Sequence, residues 1–301
     1  MFSFLPQKLK GSLILSLVIL NTLFWLPIMV IGALIKIVIP LSFVKKWISK
    51  ILIACATNWV SLNSFFMFLF LKIEWVVSDT ENLSKNDWYF VNCNHQSWSD
   101  IPVVQKILNR RIPMLKFFLK KELIWVPIIG ICWWALDFPF MKRSTQEEIR
   151  NNPALAGKDL DTTRKACEKF KSTPVSVFNF LEGTRFNQAK HDNQQSPFTH
   201  LLKPKAGGAA FVLGSMGQQM HTMLDITIVY PDKQNGPWDL FCGRINKVVV
   251  HIKKIEIPKE FLGKDYSSDP TFKADFQSWL NIIWTEKDAL ISELKNKHQI
   301  S

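Results

Sequence analysis

The stretch Asn94-His95-Gln96-Ser97-Trp98-Ser99-Asp100 holds the two residue types needed to take a proton from a hydroxyl. A histidine titrates near neutrality, so its neutral imidazole can act as general base on a substrate alcohol. A carboxylate bonded to the other ring nitrogen would fix the tautomer and stabilise the imidazolium that forms. The interval of five residues from His95 to Asp100 is too long for one helical face, so the pair meets only if the chain turns between them. A second stretch, Glu182-Gly183-Thr184-Arg185, has a chemistry of its own. A glycine just after a strand lets a ligand approach the backbone, and an arginine two residues on offers a planar fork suited to phosphate. Each stretch taken alone also reads as an ordinary polar turn, since His95 is one of six histidines and a strand-end ion pair would leave the same letters at 182–185.

Both stretches follow predicted strands. Trp88 to Cys93 is aromatic and β-branched, and Ile101 to Leu108 reads as a helix that Ser97 or Ser99 could cap, with Pro102 in its first turn. His95 is therefore expected at a strand's end and Asp100 at the next helix's start. Pro174 to Phe180 is a clear strand leading into Glu182. Further strands are expected at Ile73–Val77, Phe138–Arg143, Leu224–Tyr230 and Val248–Ile252. Helices are expected over Gly157–Lys171, from Lys205-Ala206 onward, and over Thr271–Lys295, whose Phe272, Phe276, Leu280, Ile283 and Trp284 fall at helical spacing as a core-packing stripe. Residues 187–200, rich in Asn, Gln and His, read as an exposed loop. Strands alternating with helices, without an internal repeat, make this an α/β domain.

The N-terminal region is different. Ser12 to Ile35 is 24 residues without a charge, enough to span a hydrocarbon core of roughly 30 Å, and its length argues for a retained anchor over a cleavable signal. Ile51 to Leu71 is a second uncharged run that either spans or lies in the interface. Lysines flank both runs, so the positive-inside rule selects no orientation; a two-helix element with both ends near one face satisfies both clusters. The expected division is thus a membrane element over 1–71 and a catalytic domain over 72–301. Residues 1–73 carry seven lysines and no acid, supplying +7 of the chain's net +12 where it is most apolar. That placement points to anionic lipid headgroups, and no basic-aromatic signature of nucleic-acid binding accompanies it. Five scattered cysteines (55, 93, 132, 167, 242) argue against a disulfide framework or a zinc knuckle and fit a reducing compartment.

The two polar stretches together resemble motifs of the glycerolipid acyltransferases, the 1-acylglycerol-3-phosphate acyltransferase family. Asn94, His95 and Asp100 match its Asn-His-x4-Asp motif. Phe180, Glu182, Gly183, Thr184 and Arg185 match Phe-Pro-Glu-Gly-Thr-Arg, with Leu181 in place of the proline. Lys121, Glu122, Leu123, Pro127 and Gly130 match an intervening Lys-Glu-Leu…Pro…Gly segment. The family's Gly-x-Ile-Phe-Ile-x-Arg motif is met only at Phe140 and Arg143; Asp137 stands at the glycine and Pro139 at an isoleucine. Ile228-Val229-Tyr230-Pro231 loosely meets a fourth, apolar motif. The resemblance covers roughly residues 72–235 in the right order, and Lys190-His191 after the third motif resembles the lysocardiolipin acyltransferase branch with its bacterial inner-membrane members.

This resemblance implies an α/β fold with a mixed sheet flanked by helices, behind an N-terminal helical membrane element. It implies transfer of a fatty acyl group from acyl-CoA or acyl-acyl carrier protein to the free hydroxyl of lysophosphatidic acid, on the cytoplasmic side of a bacterial inner membrane. His95 would be the base and Asp100 its orienting partner. Glu182, Gly183, Thr184 and Arg185 would hold the phosphoglycerol part, Arg143 would bind phosphate, and Lys116, Lys120 and Lys121 would add positive potential, Lys121 counting with the substrate-binding residues. No cofactor or metal is called for, and the remaining histidines show no ligand spacing. Another lysophospholipid as acceptor, a membrane-bound hydrolase and an inactive lipid-binding protein are the rival readings. Absence of a Gly-x-Ser-x-Gly elbow counts against the usual lipase route.

Overall fold

The computed structural model describes residues 2–78, 82–126, 129–141, 161, 164–165, 167–170, 173–231, 236–264, 266 and 269–298. Two long helices come first, α1 (Gln7–Val38) and α2 (Ser42–Phe70), with α1 continuous through Pro27. Three residues link them, and the Phe2 amide donates to the Leu69 carbonyl at 2.8 Å, so the hairpin returns to where it began. Both helices are long and apolar enough to cross a membrane. Leu20, Phe24, Ile31, Phe43, Trp47 and Phe68 along them are all exposed.

The remaining described elements are β1 (Glu74–Ser78), β2 (Tyr89–Cys93), α3 (Asp100–Leu108), β3 (Leu115–Phe117), β4 (Leu119–Lys120), α4 (Ile129–Ala135), β5 (Phe140–Met141), β6 (Ser176–Phe180), α5 (Gln188–Gln194), α6 (Ala206–Met216), β7 (Thr222–Val229), α7 (Pro237–Cys242), β8 (Lys247–Glu256) and α8 (Pro270–Lys297). Six strands form one sheet in the order β1-β8-β7-β2-β6-β3. Its neighbours pair parallel except β7 with β8, which are antiparallel, so the sheet is mixed. β4 and β5 form a separate two-stranded parallel ribbon.

Side-chain alternation along the central strand builds a core on each face. Phe90 packs with Leu213, Phe276 and Trp284 from α6 and α8. Tyr89, Val91 and Cys93 pack on the other face with Val103, Val104 and Ile107 of α3. That second core also takes in Ile14, Met67 and Phe70, so the hairpin contributes to the same apolar cluster as the sheet. α1 also meets α7 closely: a Cβ on Gly11 would come 2.7 Å from Cys242 Sγ, a contact only glycine allows.

Two expectations are corrected. Residues 187–200 are not all loop: Gln188–Gln194 is helical, because Asn187 caps the first turn by accepting the Lys190 amide at 2.8 Å, and Gln195 ends it in the left-handed region. Asp100 starts the helix after the first motif, as expected, but Ser99 holds the N-cap position without a side-chain cap bond, and the Ser97 hydroxyl accepts the Ser99 amide at 3.0 Å. The expected strand Phe138–Arg143 is described only as Phe140–Met141, and most of the helix expected over Gly157–Lys171 lies outside the described residues.

Candidate active site

Three parallel strands, β2, β6 and β7, deliver the polar residues to one end of the sheet. The backbone ladder between β2 and β7 closes at Cys93 opposite Ile226. One residue later the Asn94 side chain takes over, donating to the Ile228 carbonyl at 2.9 Å and accepting its amide at 2.8 Å. A side-chain amide thus extends the ladder and frees the main chain of 94–95 to turn away.

The turn returns Asp100 to His95. Asp100 is fully buried, and one oxygen, Oδ2, sits 2.8 Å from His95 Nδ1 and accepts the amides of Gln96 and Ser97, each at 2.8 Å. Its other oxygen accepts the Tyr230 hydroxyl at 2.8 Å. A carboxylate ringed by donors requires Nδ1 to carry the ring proton, which leaves the Nε2 lone pair as the basic site. Burial, together with the charge of Asp100, pushes the Tyr230 hydroxyl well above the usual phenol range, so it stays a donor. Phe180, the last residue of β6, stacks on the imidazole with ring centroids 3.8 Å apart and planes 14° from parallel. The ring is therefore fixed in position by the carboxylate on its edge and the phenyl on its face.

The second stretch closes on the first. Glu182 is fully buried; Oε1 accepts the His95 amide at 2.7 Å and Oε2 the Leu202 amide at 2.9 Å. Burial raises its carboxyl to about 7 in spite of those two amides. Expected among the phosphoglycerol-holding residues, Glu182 instead has both oxygens engaged with backbone. The Phe186 amide donates back to the His95 carbonyl at 2.7 Å, so His95 is gripped through its main chain from both sides. Gly183 takes a φ of +68°, which a side chain rarely adopts, and a Cβ there would press on Lys205 at 3.1 Å. Thr184 accepts the Lys190 ammonium at 2.7 Å. Arg185 is exposed, with its guanidinium 4.6 Å above the ring of Trp98, itself exposed beside the first motif.

The structure thus gathers His95, Asp100, Glu182, Gly183, Thr184 and Arg185. Lys121 opens an exposed 3₁₀ turn (Lys121–Trp125) beyond β4 and takes no part in the bonds that hold His95. Arg143 lies outside the described residues. Sequence reasoning met Phe180, Tyr230 and Asn94 only as motif positions and did not foresee the stacking of Phe180 on His95, the Tyr230 bond to Asp100 or the ladder role of Asn94. Tyr230 closes a strand just before a proline, the place from which a hydroxyl can reach the neighbouring turn. Next to the site, a cavity of about 400 Å³ lies between the hairpin and the start of α3, lined by Trp59, Met67, Trp98, Ile101, Pro237 and Phe241 among others.

Residues 74–230, which run from β1 through the His95–Asp100 pair, with only its carboxylate fully buried, to Tyr230, match the family model described as Acyltransferase. That is more than half of the chain, which therefore belongs to the acyltransferase family. Among curated relatives, the 1-acyl-sn-glycerol-3-phosphate acyltransferase gamma of Mus musculus is 26% identical over 60% of this chain and 46% of its own length. The 2-acyl-1-lysophosphatidylinositol acyltransferase of Saccharomyces cerevisiae is 27% identical over 66% of this chain and 59% of its own. The chain so spans about half the length of the curated relatives it matches. The crystal structure of the 1-acyl-sn-glycerophosphate (LPA) acyltransferase PlsC from Thermotoga maritima shares the fold, with a TM-score of 0.53 at 19% identity over 96% of this chain and 98% of that one.

Proposed function

We propose that this chain transfers a fatty acyl group from an acyl thioester to the free hydroxyl of a lysophospholipid, with lysophosphatidic acid as the acceptor. One observation carries the reading: the buried Asp100 carboxylate 2.8 Å from His95 Nδ1, which presents Nε2 as a base. His95 Nε2 takes the acceptor's hydroxyl proton as the oxygen attacks the thioester carbonyl carbon. The acyl–oxygen bond forms, the acyl–sulfur bond breaks, and the departing thiolate takes the proton back from the imidazolium. The cycle closes without a covalent enzyme intermediate. The donor is a thioester of coenzyme A or of acyl carrier protein, and no cofactor is needed.

Arg185, held over Trp98 at the rim, is the group for the acceptor's phosphate. Arg143 and Lys121 are proposed to assist. The largely apolar cavity beside Trp98 has room for part of an acyl chain. The exposed apolar flanks of α1 and α2 and the lysines around them support attachment at a membrane. The bacterial inner membrane, with the site on the cytoplasmic side where acyl thioesters are made, is the proposed location.

The test is an assay of the full chain, purified in detergent, against a panel of lysophospholipids with both donors. Thiol release matched by loss of one lysophospholipid is expected, with lysophosphatidic acid turned over fastest. Faster turnover of lysophosphatidylinositol or another headgroup would reassign the acceptor. Free fatty acid without loss of acceptor would make the chain a hydrolase, and no turnover with any pair would leave a lipid-binding protein.

A further inference from the structure

At the end of the sheet away from His95, a cavity of about 480 Å³ lies between α2 and the turn that joins α3 to β3. Lys50, Lys85, Arg110 and Lys116 line it with Asn58 and Asn109 among others, and none of the described residues around it is an aspartate or a glutamate. Lys85 comes shortly before β2, and Pro174 of the lining shortly before β6. His95 and Glu182 follow the opposite ends of those two strands. Each strand has five residues, so at about 3.3 Å per residue the two ends lie roughly 16 Å apart.

Arg110 is tied into this cavity. Its Nε donates to Ser61 Oγ at 3.1 Å and its Nη2 to Asn58 Oδ1, both on α2, and Asn109 Nδ2 donates to the same Ser61 oxygen at 2.8 Å. Arg110 holds a φ of +64°, where a glycine would sit without strain, so the turn keeps a long cationic side chain at a cost. Lys116 is buried, with its ammonium 4.7 Å from the centre of the Phe170 ring. Among the described residues no ion pair reaches Lys50, Lys85 or Arg110. Like charges gathered in one cavity repel, and an anion bound among them reverses the sign of the interaction.

A second cavity, of about 340 Å³, shares the wall of Ala56, Val60, Gln105, Met114 and Leu115 with the first and continues among apolar side chains that include Met29, Trp133 and Leu136. On α2, within two turns of Lys50, Phe43 and Trp47 are exposed. The cationic cavity therefore adjoins both an apolar cavity and the lipid-facing flank of the hairpin.

We propose that the cationic cavity is a phospholipid site separate from the active site: Lys50, Lys85 and Arg110 take the phosphate of an anionic phospholipid, and one of its acyl chains enters the adjoining apolar cavity. A soluble phosphate offers the same charge but no chain for that second cavity, which favours the lipid.

The test uses the full chain in detergent and needs no acyl transfer, so it does not depend on the proposed activity. Phosphatidylglycerol and phosphatidylcholine are titrated in mixed micelles, and the apparent Kd is read from the rise in thermal unfolding midpoint. Phosphatidylglycerol should bind more tightly, and less so as salt is added. Lys50→Gln/Lys85→Gln, at two exposed side chains, should weaken its binding on the order of tenfold, and Lys50→Arg/Lys85→Arg should keep it. Lys45→Gln/Lys46→Gln removes the same charge from the same helix outside the cavity and should leave the Kd unchanged. An equal loss in both glutamine pairs would mean a diffuse field of lysines and overturn the site. So would phosphatidylcholine binding as tightly as phosphatidylglycerol. Displacement of phosphatidylglycerol by equimolar inorganic phosphate or coenzyme A would overturn the lipid and make the ligand a soluble phosphate.

Discussion

At the scale of residues the candidate site is a small set of bonds around one imidazole. Asp100 holds Nδ1, Tyr230 and two amides hold Asp100, and Glu182 and Phe186 hold the His95 main chain. A positioned base contributes roughly 10²–10⁴ to a rate, so His95→Ala should lower acyl transfer by at least ~10²-fold in a protein that still folds. Asp100→Asn should lose much of the same factor, since an amide in that ring of donors no longer dictates which nitrogen carries the proton. The double variant should be little worse than either single one, because the pair acts as a unit. Near-normal turnover by His95→Ala, measured as thiol release, would falsify the mechanism. Arg185→Lys keeps the charge but loses the planar fork and weakens the stacking on Trp98. The KM for the lysophospholipid should rise several-fold, with a smaller change for the thioester. A rise confined to the thioester would assign Arg185 to the donor.

At the scale of elements the α1–α2 hairpin is more than an appendage. Ile14, Met67 and Phe70 fill the core beneath β2 and α3, Gly11 admits Cys242 of α7, and Asn21 donates to Asn63 between the two helices at 2.8 Å. A departure from the family motif is explained here as well. Asp137, standing where the motif has glycine, takes a φ of +60°, the region that glycine enters freely and aspartate tolerates. Its carboxylate meets Lys36 at the end of α1 at 2.9 Å, while the same ammonium donates to the Ala135 carbonyl at 2.8 Å. Removing residues 1–72 should therefore uncover Val91, Val103 and Ile107 and yield an aggregating, inactive fragment. A monodisperse, active fragment on size-exclusion chromatography would show that the hairpin is only a tether.

At the scale of the whole molecule the buried acid sets a pH dependence of stability. Glu182 has an ordinary value of 4.5 and is raised to about 7 in the fold. Between those values the folded chain holds a proton that the unfolded chain has lost, so the contribution of Glu182 to stability is full below 4.5 and declines as pH rises to about 7. Over that interval the decline is on the order of 3 kcal/mol. Glu182→Gln cannot titrate and should lack this part of the slope in denaturant midpoints measured from pH 4.5 to 7.5. A slope identical to wild type would mean that Glu182 does not carry the proton.

The sequence by itself determined what local pattern can encode. An aromatic, β-branched run marked β2, the run Pro174–Phe180 marked β6, unbroken apolar runs marked α1 and α2, and the residues around the motifs placed His95 and Glu182–Arg185 after strand ends and Asp100 at a helix start. It also pointed to the family, because several ordered motifs rarely coincide by accident. What it did not reveal depends on contacts between residues far apart in the chain. Glu182 looked like a ligand-binding acid because an exposed and a buried carboxylate are written with the same letter; only the fold places it inside, between the amides of residues 95 and 202. The Tyr230–Asp100 bond joins residues 130 positions apart, and Lys287 reaches Asp225 from a helix whose apolar stripe gave no sign of a buried ammonium. α5 was hidden because its cap is a single asparagine in a run of polar residues that carries no apolar period. Side-chain type and spacing are local, and burial and partner are not, so the chemistry could be named from the sequence while the machinery that aims it was decided by the tertiary structure.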